Sequence, residues 1–186
     1  MKRTFDFVLA TILVLVLGLL AVPLAIIIRM SSKGPALYWS DRIGKDNRIF
    51  KMPKFRTMLM NTPDVATHLL DNPESYLSSV GGFLRSTSLD ELPQLYSVLM
   101  GDMSLVGPRP ALYNQQNLIS FRTEKGVDKL LPGITGWAQV NGRDKLSIPE
   151  KVALDLEYLN CRSFSFDLKI LWMTFLKVVS LDDVSH

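Results

Sequence analysis

Hydrophobic and polar positions divide the chain unevenly. From Phe7 to Ile28 run 22 residues without a charge, mostly Leu, Val, Ile and Ala. About 20 such residues cross a hydrocarbon core of roughly 30 Å, so this segment belongs in lipid. A cleaved signal peptide fits poorly, because the run is long and Ala21-Val22-Pro23 is a poor cleavage site. Two arrangements stay open: a single span, or a re-entrant helix that dips into one leaflet and returns. Lys2 and Arg3 precede the run and Arg29 and Lys33 follow it, so positive charge marks both ends as cytoplasmic. Pro23 sits inside, where it removes a backbone bond and kinks a helix. Both features favour re-entry, yet prolines are common in membrane helices. The pattern alone does not decide.

Further along, Leu37-Tyr38-Trp39 and Arg48-Ile49-Phe50 flank a polar loop over 40–47 and predict a short β-hairpin. Asn61–Ser79 is polar, broken by Pro63 and Pro73, and predicts short helices. Leu92, Leu95, Tyr96 and Leu99 have the i, i+3, i+4, i+7 spacing of a helix over Leu92–Met100, stopped by Gly101. Ile148–Cys161 predicts a charged helix after Ser147. Phe166–Val179 is amphipathic, with Leu168, Leu171, Trp172, Phe175, Leu176 and Val179 on one side. That stripe suits a core or a membrane interface.

Composition narrows the chemistry. Hydrophobic residues are 47% and charged residues 21% of 186, which excludes general disorder. A net charge of +3 is too weak to argue for nucleic acid. The single Cys161 excludes an internal disulfide, and His68 and His186 alone leave no zinc cluster. Carboxylates, Lys, Arg and backbone remain. Eight basic residues (29, 33, 42, 45, 48, 51, 54, 56) against Asp41 and Asp46 give residues 29–56 a local +6. Beside a lipid-embedded segment, such a cluster is expected to face anionic headgroups, the alternative being a solvated face.

Four motifs could carry chemistry. Asp90-Glu91 lies in Ser88-Leu89-Asp90-Glu91-Leu92-Pro93. Ser88-x-x-Glu91 also reads as a capping box, a purely structural role. The same helix start attracts phosphate, and adjacent carboxylates suit oxygen ligation of Mg²⁺. Lys54-Phe55-Arg56-Thr57-Met58 and Arg85 supply cations. In Gly107-Pro108-Arg109-Pro110 the prolines fix an Arg that can fork onto phosphate. Arg109→Ala is therefore expected to cost far more activity than Arg122→Ala, since Arg122 lies in an ordinary polar stretch. The glycines of Pro132–Arg143, which also holds Gln139, permit backbone approach to a ligand.

In this order, behind a hydrophobic segment, the motifs resemble the bacterial sugar transferase family, the small monotopic phosphoglycosyl transferases in their minimal form. The likeness runs from the membrane segment through Lys54–Met58, Arg85, Asp90-Glu91, Pro108-Arg109-Pro110 and Gly136–Arg143 to Asp155-Leu156-Glu157-Tyr158-Leu159. It implies a helix-dominated α+β fold: a re-entrant helix over 1–30 and a catalytic domain over 31–186 with a short hairpin and amphipathic interfacial helices. The expected place is the cytoplasmic face of a bacterial inner membrane. The implied reaction moves a phospho-sugar from a nucleotide diphosphate sugar, by analogy a UDP-sugar, to undecaprenyl phosphate, releasing UMP and starting glycoconjugate assembly. Asp90 matches the family nucleophile and Glu91 its partner, both on Mg²⁺. Lys54, Arg56, Arg85 and Arg109 are expected on substrate phosphate, and Gln139, Arg143 and Asp155 on substrate. The family's membrane helix commonly breaks at Ser-Pro, where this chain has Val22-Pro23. A non-catalytic scaffold holding anionic lipid is the alternative. The sugar, the final glycan and the oligomeric state are not legible.

Overall fold

A computed structural model describes residues 1–63, 71–142 and 145–180. Helix α1 (Lys2–Ser31) is built from Leu, Val, Ile and Ala and continues unbroken through Pro23. The proline deletes one backbone bond, but the expected break there is not seen: the helix carries on for two more turns. Thirty helical residues measure about 45 Å. Both ends of α1 nevertheless pack on the same globular body.

At the start of α1, Asp6 is 2% exposed and accepts from the Ser104 hydroxyl at 2.8 Å and the Leu105 amide at 3.3 Å. Lys2 pairs with Asp167 at 2.7 Å, and Arg3 donates to the Val98 and Leu99 carbonyls. Ala10 is fully buried in the main core with Met52, Val98, Met103 and Tyr158. Toward the other end, Ile28 is buried with Phe55 and Leu84, and Ala21, Leu24 and Ala25 pack against them. Residues 1–30 and 31–186 thus share both clusters. The opposite face of α1 shows Leu15, Val16, Leu19 and Val22, each more than 60% exposed.

The hairpin is longer than its sequence suggests. Strands β1 (Leu37–Ile43) and β2 (Ile49–Phe55) pair antiparallel with Tyr38 opposite Lys54 and Ser40 opposite Met52. Ser40, Asp41 and Arg42, read from polarity as loop, belong to β1 because the hairpin is wet on one face. The chain then forms a 3₁₀ turn at Pro73–Tyr76, α2 (Gly81–Ser86), and a 3₁₀ turn at Leu89–Glu91 leading into α3 (Gln94–Met100). The α3 helix starts two residues later than its periodicity implied, because Pro93 supplies its N-cap. Within Asn61–Ser79, residues 64–70 lie outside the described residues.

Strand β3 (Ser104–Val106) pairs parallel with β4 (Gly133–Thr135), and α4 (Gln116–Glu124) lies between them in sequence. A short α5 (Trp137–Val140) precedes α6 (Ile148–Cys161), whose capping box joins Ser147 and Glu150. In α7 (Phe164–Ser180) the buried side carries Asp167 and Ile170. The apolar stripe Leu168, Trp172, Phe175 and Leu176 instead faces outward, each roughly half exposed. Leu171, from the same stripe, packs against the main core, so the stripe is divided between core and surface. The 29–56 basic cluster is also not one patch. Arg29, Lys33, Lys45, Arg48 and Lys51 are exposed, whereas Lys54 and Arg56 turn inward.

Candidate active site

The acidic pair is not a helix cap. Ser88 adopts a left-handed backbone (φ 55°, ψ 16°) and its side chain makes no capping bond. Glu91 instead turns to the cations: its Oε1 accepts from Lys54 Nζ at 3.1 Å and Arg109 Nη2 at 3.0 Å. The Lys54 and Glu91 side chains are 15% and 13% exposed, so this charge-assisted cluster is shielded from water. Strand β2 aims Lys54 at the turn that carries Glu91.

Asp90 sits beside them, 7% exposed. Burial pushes its carboxyl above the ordinary value, Lys54 pulls it back, Glu91 raises it, and Arg109 and Arg85 lower it. Burial likewise draws the Lys54 ammonium below its ordinary value, against the attraction of Glu91. A desolvated carboxylate ringed by cations is a poor structural element and a good nucleophile. Its ionisation should appear in the rate. The acid limb of the pH–rate profile is expected above the ordinary carboxylate range. Lys54→Met removes the largest lowering influence, so that limb should move to higher pH. An unmoved limb would detach Lys54 from Asp90.

Arg109 stands on a backbone pinned from four sides. The Pro108 carbonyl accepts from the Gly133 amide at 2.9 Å, and the Gly107 amide donates to the Thr135 carbonyl at 2.9 Å. The Arg109 carbonyl accepts from Arg122 Nη1 at 2.8 Å, and the Pro110 carbonyl accepts from Arg42 at 3.2 Å. The expectation that glycines in 132–143 leave room for a ligand needs correcting at two of them. A Cβ on Gly133 would strike the Gly107 amide, and one on Gly136 the Gly107 carbonyl. These glycines let two backbones touch, and the beneficiary is the arginine turn.

The remaining candidates divide. Arg85 acts electrostatically on Asp90 and lies 3.9 Å from the Met58 sulfur. Arg56 is 5% exposed and donates to the Ser32 carbonyl and hydroxyl at 2.9 and 2.8 Å, bracing the link from α1 to β1. Asp155 is 1% exposed and bonded through Oδ2 to Arg122 at 2.7 and 2.9 Å, its carboxyl pushed up by burial. The structure brings neither Arg56 nor Asp155 to the acidic pair. Arg143 lies outside the described residues. Arg122, read as lying in an ordinary polar stretch, is the strut between Asp155 and the Arg109 carbonyl, so Arg122→Ala is expected to cost more than that reading implies. Its partner is 33 positions away, and no local pattern signals it.

Next to the acidic pair opens a cavity of about 590 Å³ that the sequence did not reveal. Leu9, Leu13 and Leu17 of α1 form one wall, and Leu171, Thr174, Phe175 and Val178 of α7 another. Ser88, Glu91, Arg109 and Gln139 are at its polar part, with Lys145 and Lys177. Among the described residues, neither amide atom of Gln139 has a hydrogen-bond partner. No group of three or more His, Cys, Asp or Glu side chains could hold a metal among these residues. Asp90 and Glu91 are the carboxylates that would hold Mg²⁺, an ion that usually takes one or two carboxylates and completes its shell with substrate phosphate and water.

Residues 1–181 match the sequence profile of the bacterial sugar transferases. The chain belongs to that family. It is 42% identical over 95% of its length to a UDP-glucose:undecaprenyl-phosphate glucose-1-phosphate transferase of Escherichia coli (strain K12), covering 40% of that protein. It is 36% identical over 94% of its length to an undecaprenyl-phosphate galactose phosphotransferase of Salmonella typhimurium, covering 39% of it. An uncharacterized sugar transferase of Bacillus subtilis is 39% identical across the whole chain and is itself 91% covered. The chain therefore spans about two fifths of the two named transferases. The matched residues 1–181 include the acidic pair, the arginine turn and α1.

Proposed function

We propose that this chain transfers a sugar 1-phosphate from a UDP-sugar to undecaprenyl phosphate at the cytoplasmic leaflet, by way of Asp90. The observation that carries the reading is a buried carboxylate surrounded by Lys54, Arg85 and Arg109, beside a cavity walled by the lipid-facing helix. The names of the relatives support the donor and acceptor. The scaffold alternative needs Asp90-Glu91 to be a cap, and Ser88 makes no such bond.

An Asp90 carboxylate oxygen attacks the phosphorus bearing the sugar. The bond from that phosphorus to the bridging oxygen breaks, and the nucleoside monophosphate leaves with the electron pair. A phosphate oxygen of the lipid acceptor then attacks the same phosphorus and expels the Asp90 carboxylate. No proton need be removed at either step, which suits a chain with two histidines. Arg109, on its pinned backbone, holds charge that builds on the phosphoryl oxygens, while Glu91 keeps Lys54 and Arg109 in place. Mg²⁺ on Asp90 and Glu91 would neutralise diphosphate charge.

The test is full-length protein incubated with labelled UDP-sugar and Mg²⁺ but no lipid acceptor. One equivalent of UMP and an adduct on Asp90 are expected. UMP release only when acceptor is present, or an adduct elsewhere, overturns the covalent route.

The same reading places both ends of α1 on one side of the membrane, supported by Asp6 and Ile28 sharing one globular body. With Cys161 replaced by Ser, cysteines at Thr4 and Lys33 should both resist an impermeant reagent in intact cells. Both should label in inverted vesicles. Labelling at position 4 from outside leaves only a spanning helix.

A further inference from the structure

We propose that Asp6, at the start of the apolar helix, is a positioning residue for the transfer: it holds strand β3, and through β3 the turn that carries Arg109. This deepens the transferase reading and rests on it.

Asp6 is a buried charge that the mechanism does not use. It is 2% exposed, and a carboxylate taken out of water is costly unless its oxygens are bonded. Both are bonded, and to neighbouring residues. Oδ2 accepts from the Ser104 hydroxyl at 2.8 Å and Oδ1 from the Leu105 amide at 3.3 Å. Anchoring α1 requires neither bond in particular, because Lys2 and Arg3 already tie it to α7 and α3. What the two bonds provide is a second edge for β3. Ser104 and Val106 are the β3 residues in register with β4, so the Leu105 amide points the other way. Two paired strands of three residues each are too small to hold their own place. Asp6 supplies the partner that a third strand would.

A second side chain meets the far end of β3. The Tyr158 hydroxyl donates to Asp167 Oδ1 at 2.6 Å and lies 3.3 Å from the Val106 carbonyl. Burial and the neighbouring Asp167 carboxylate push the phenol above its ordinary value, so it stays a donor. Asp167 takes Lys2 of α1 on its other oxygen, which joins this grip to that of Asp6. Gly107-Pro108-Arg109-Pro110 follows Val106 at once, and the join has no slack. A Cβ on Gly107 would strike the Leu131 carbonyl, and the prolines fix their own φ angles. A shift of β3 is therefore delivered to Arg109 whole. An error of about 1 Å at a group that meets developing charge costs roughly 10²-fold in rate.

The experiment uses the full chain in nanodiscs of phosphatidylethanolamine and phosphatidylglycerol, mixed rapidly with labelled UDP-sugar and Mg²⁺ but no acceptor. The UMP burst has two readouts. Its amplitude counts folded sites, and its rate constant reports how well each site is set. Asp6→Ala should keep most of the amplitude and lose about 100-fold in rate constant. Asp6→Asn can keep both bonds once the Ser104 hydroxyl turns to accept, so it should return to within about threefold of the parent. Ser104→Ala removes one bond and should cost about tenfold. In an Arg109→Ala background, Asp6→Ala should cost less than about threefold more, because the group it positions is gone. A reduced amplitude with an unchanged rate constant in Asp6→Ala and Ser104→Ala makes Asp6 a plain anchor and overturns the proposal. A full additional loss on top of Arg109→Ala overturns it too. Should Asp6→Ala fail to fold, Ser104→Ala in both backgrounds decides by the same criteria. No burst in the parent protein would instead remove the covalent route. The variants are then compared by kcat with undecaprenyl phosphate present, where the same non-additivity is required.

Discussion

Asp90→Asn is expected to fold, to resist heat at least as well as the parent protein at neutral pH, and to lose turnover by on the order of 10⁴–10⁶. The amide keeps the shape of the side chain and removes the attacking oxygen. The stability half follows from linkage. Burial raises the folded-state pKa of Asp90 above its ordinary value, so the folded protein holds that proton more tightly than the unfolded chain. The resulting stabilisation is complete below the unfolded pKa and is lost as pH rises through the folded one. At neutral pH the ionised group is therefore a burden, and asparagine relieves it. Thermal melts of both proteins at pH 5 and 7.5, beside UMP release, make the check. The advantage of Asn should grow with pH. A variant that melts far below the parent would make Asp90 structural, and a fully active one would remove it from the chemistry.

Arg122→Ala is expected to be the most destabilising of the arginine truncations. The Arg122 and Asp155 side chains are 11% and 2% exposed, and two nitrogens of the guanidinium meet one carboxylate oxygen. Removing one partner strands the other charge in a dry place, at a cost of about 3–5 kcal/mol. A domain of this size has roughly 5–15 kcal/mol in all, so much of its margin goes. The same deletion frees the Arg109 carbonyl. Arg122→Lys should restore part of the melting temperature while leaving turnover low, because one ammonium cannot hold both Asp155 and the Arg109 carbonyl in the same geometry. The double variant Arg122→Leu with Asp155→Leu should recover stability without recovering rate. Chemical denaturation and single-turnover kinetics on the three proteins separate the roles. Recovery of full rate in the double variant would show the strut to be dispensable.

How much of this was readable from residues alone depended on separation along the chain. Helix α1 announced itself by 22 uncharged residues, and α6 by its charged run after Ser147, because those signals are local. Asp90-Glu91 drew notice as an acidic pair, but whether it capped a helix or met Lys54 depended on the backbone angle at Ser88. The pinning of Gly107 by Gly133 and Gly136 joins backbones some 30 residues apart and leaves no periodic trace. The α7 stripe was visible, but an amphipathic pattern does not say whether lipid or protein covers it. The cavity was least accessible of all. Its walls come from the first and last helices, and nothing in either repeats the other.

The docking of α1 has a consequence for how the protein is made. Asp6 leaves the ribosome well before Ser104 and Leu105, which satisfy it and follow about a hundred positions later. Asp167, the partner of Lys2, follows 165 positions after it. At synthesis rates of roughly 5–20 residues per second, the carboxylate waits on the order of 5–20 s without its partners, and Lys2 longer. A charge stranded at mid-bilayer could not wait so cheaply, but one within the first two turns can stay among hydrated headgroups. On the proposed membrane placement of α1, the position of Asp6, one residue before the apolar run begins, therefore lets the helix wait at the headgroups until α7 arrives to lock it.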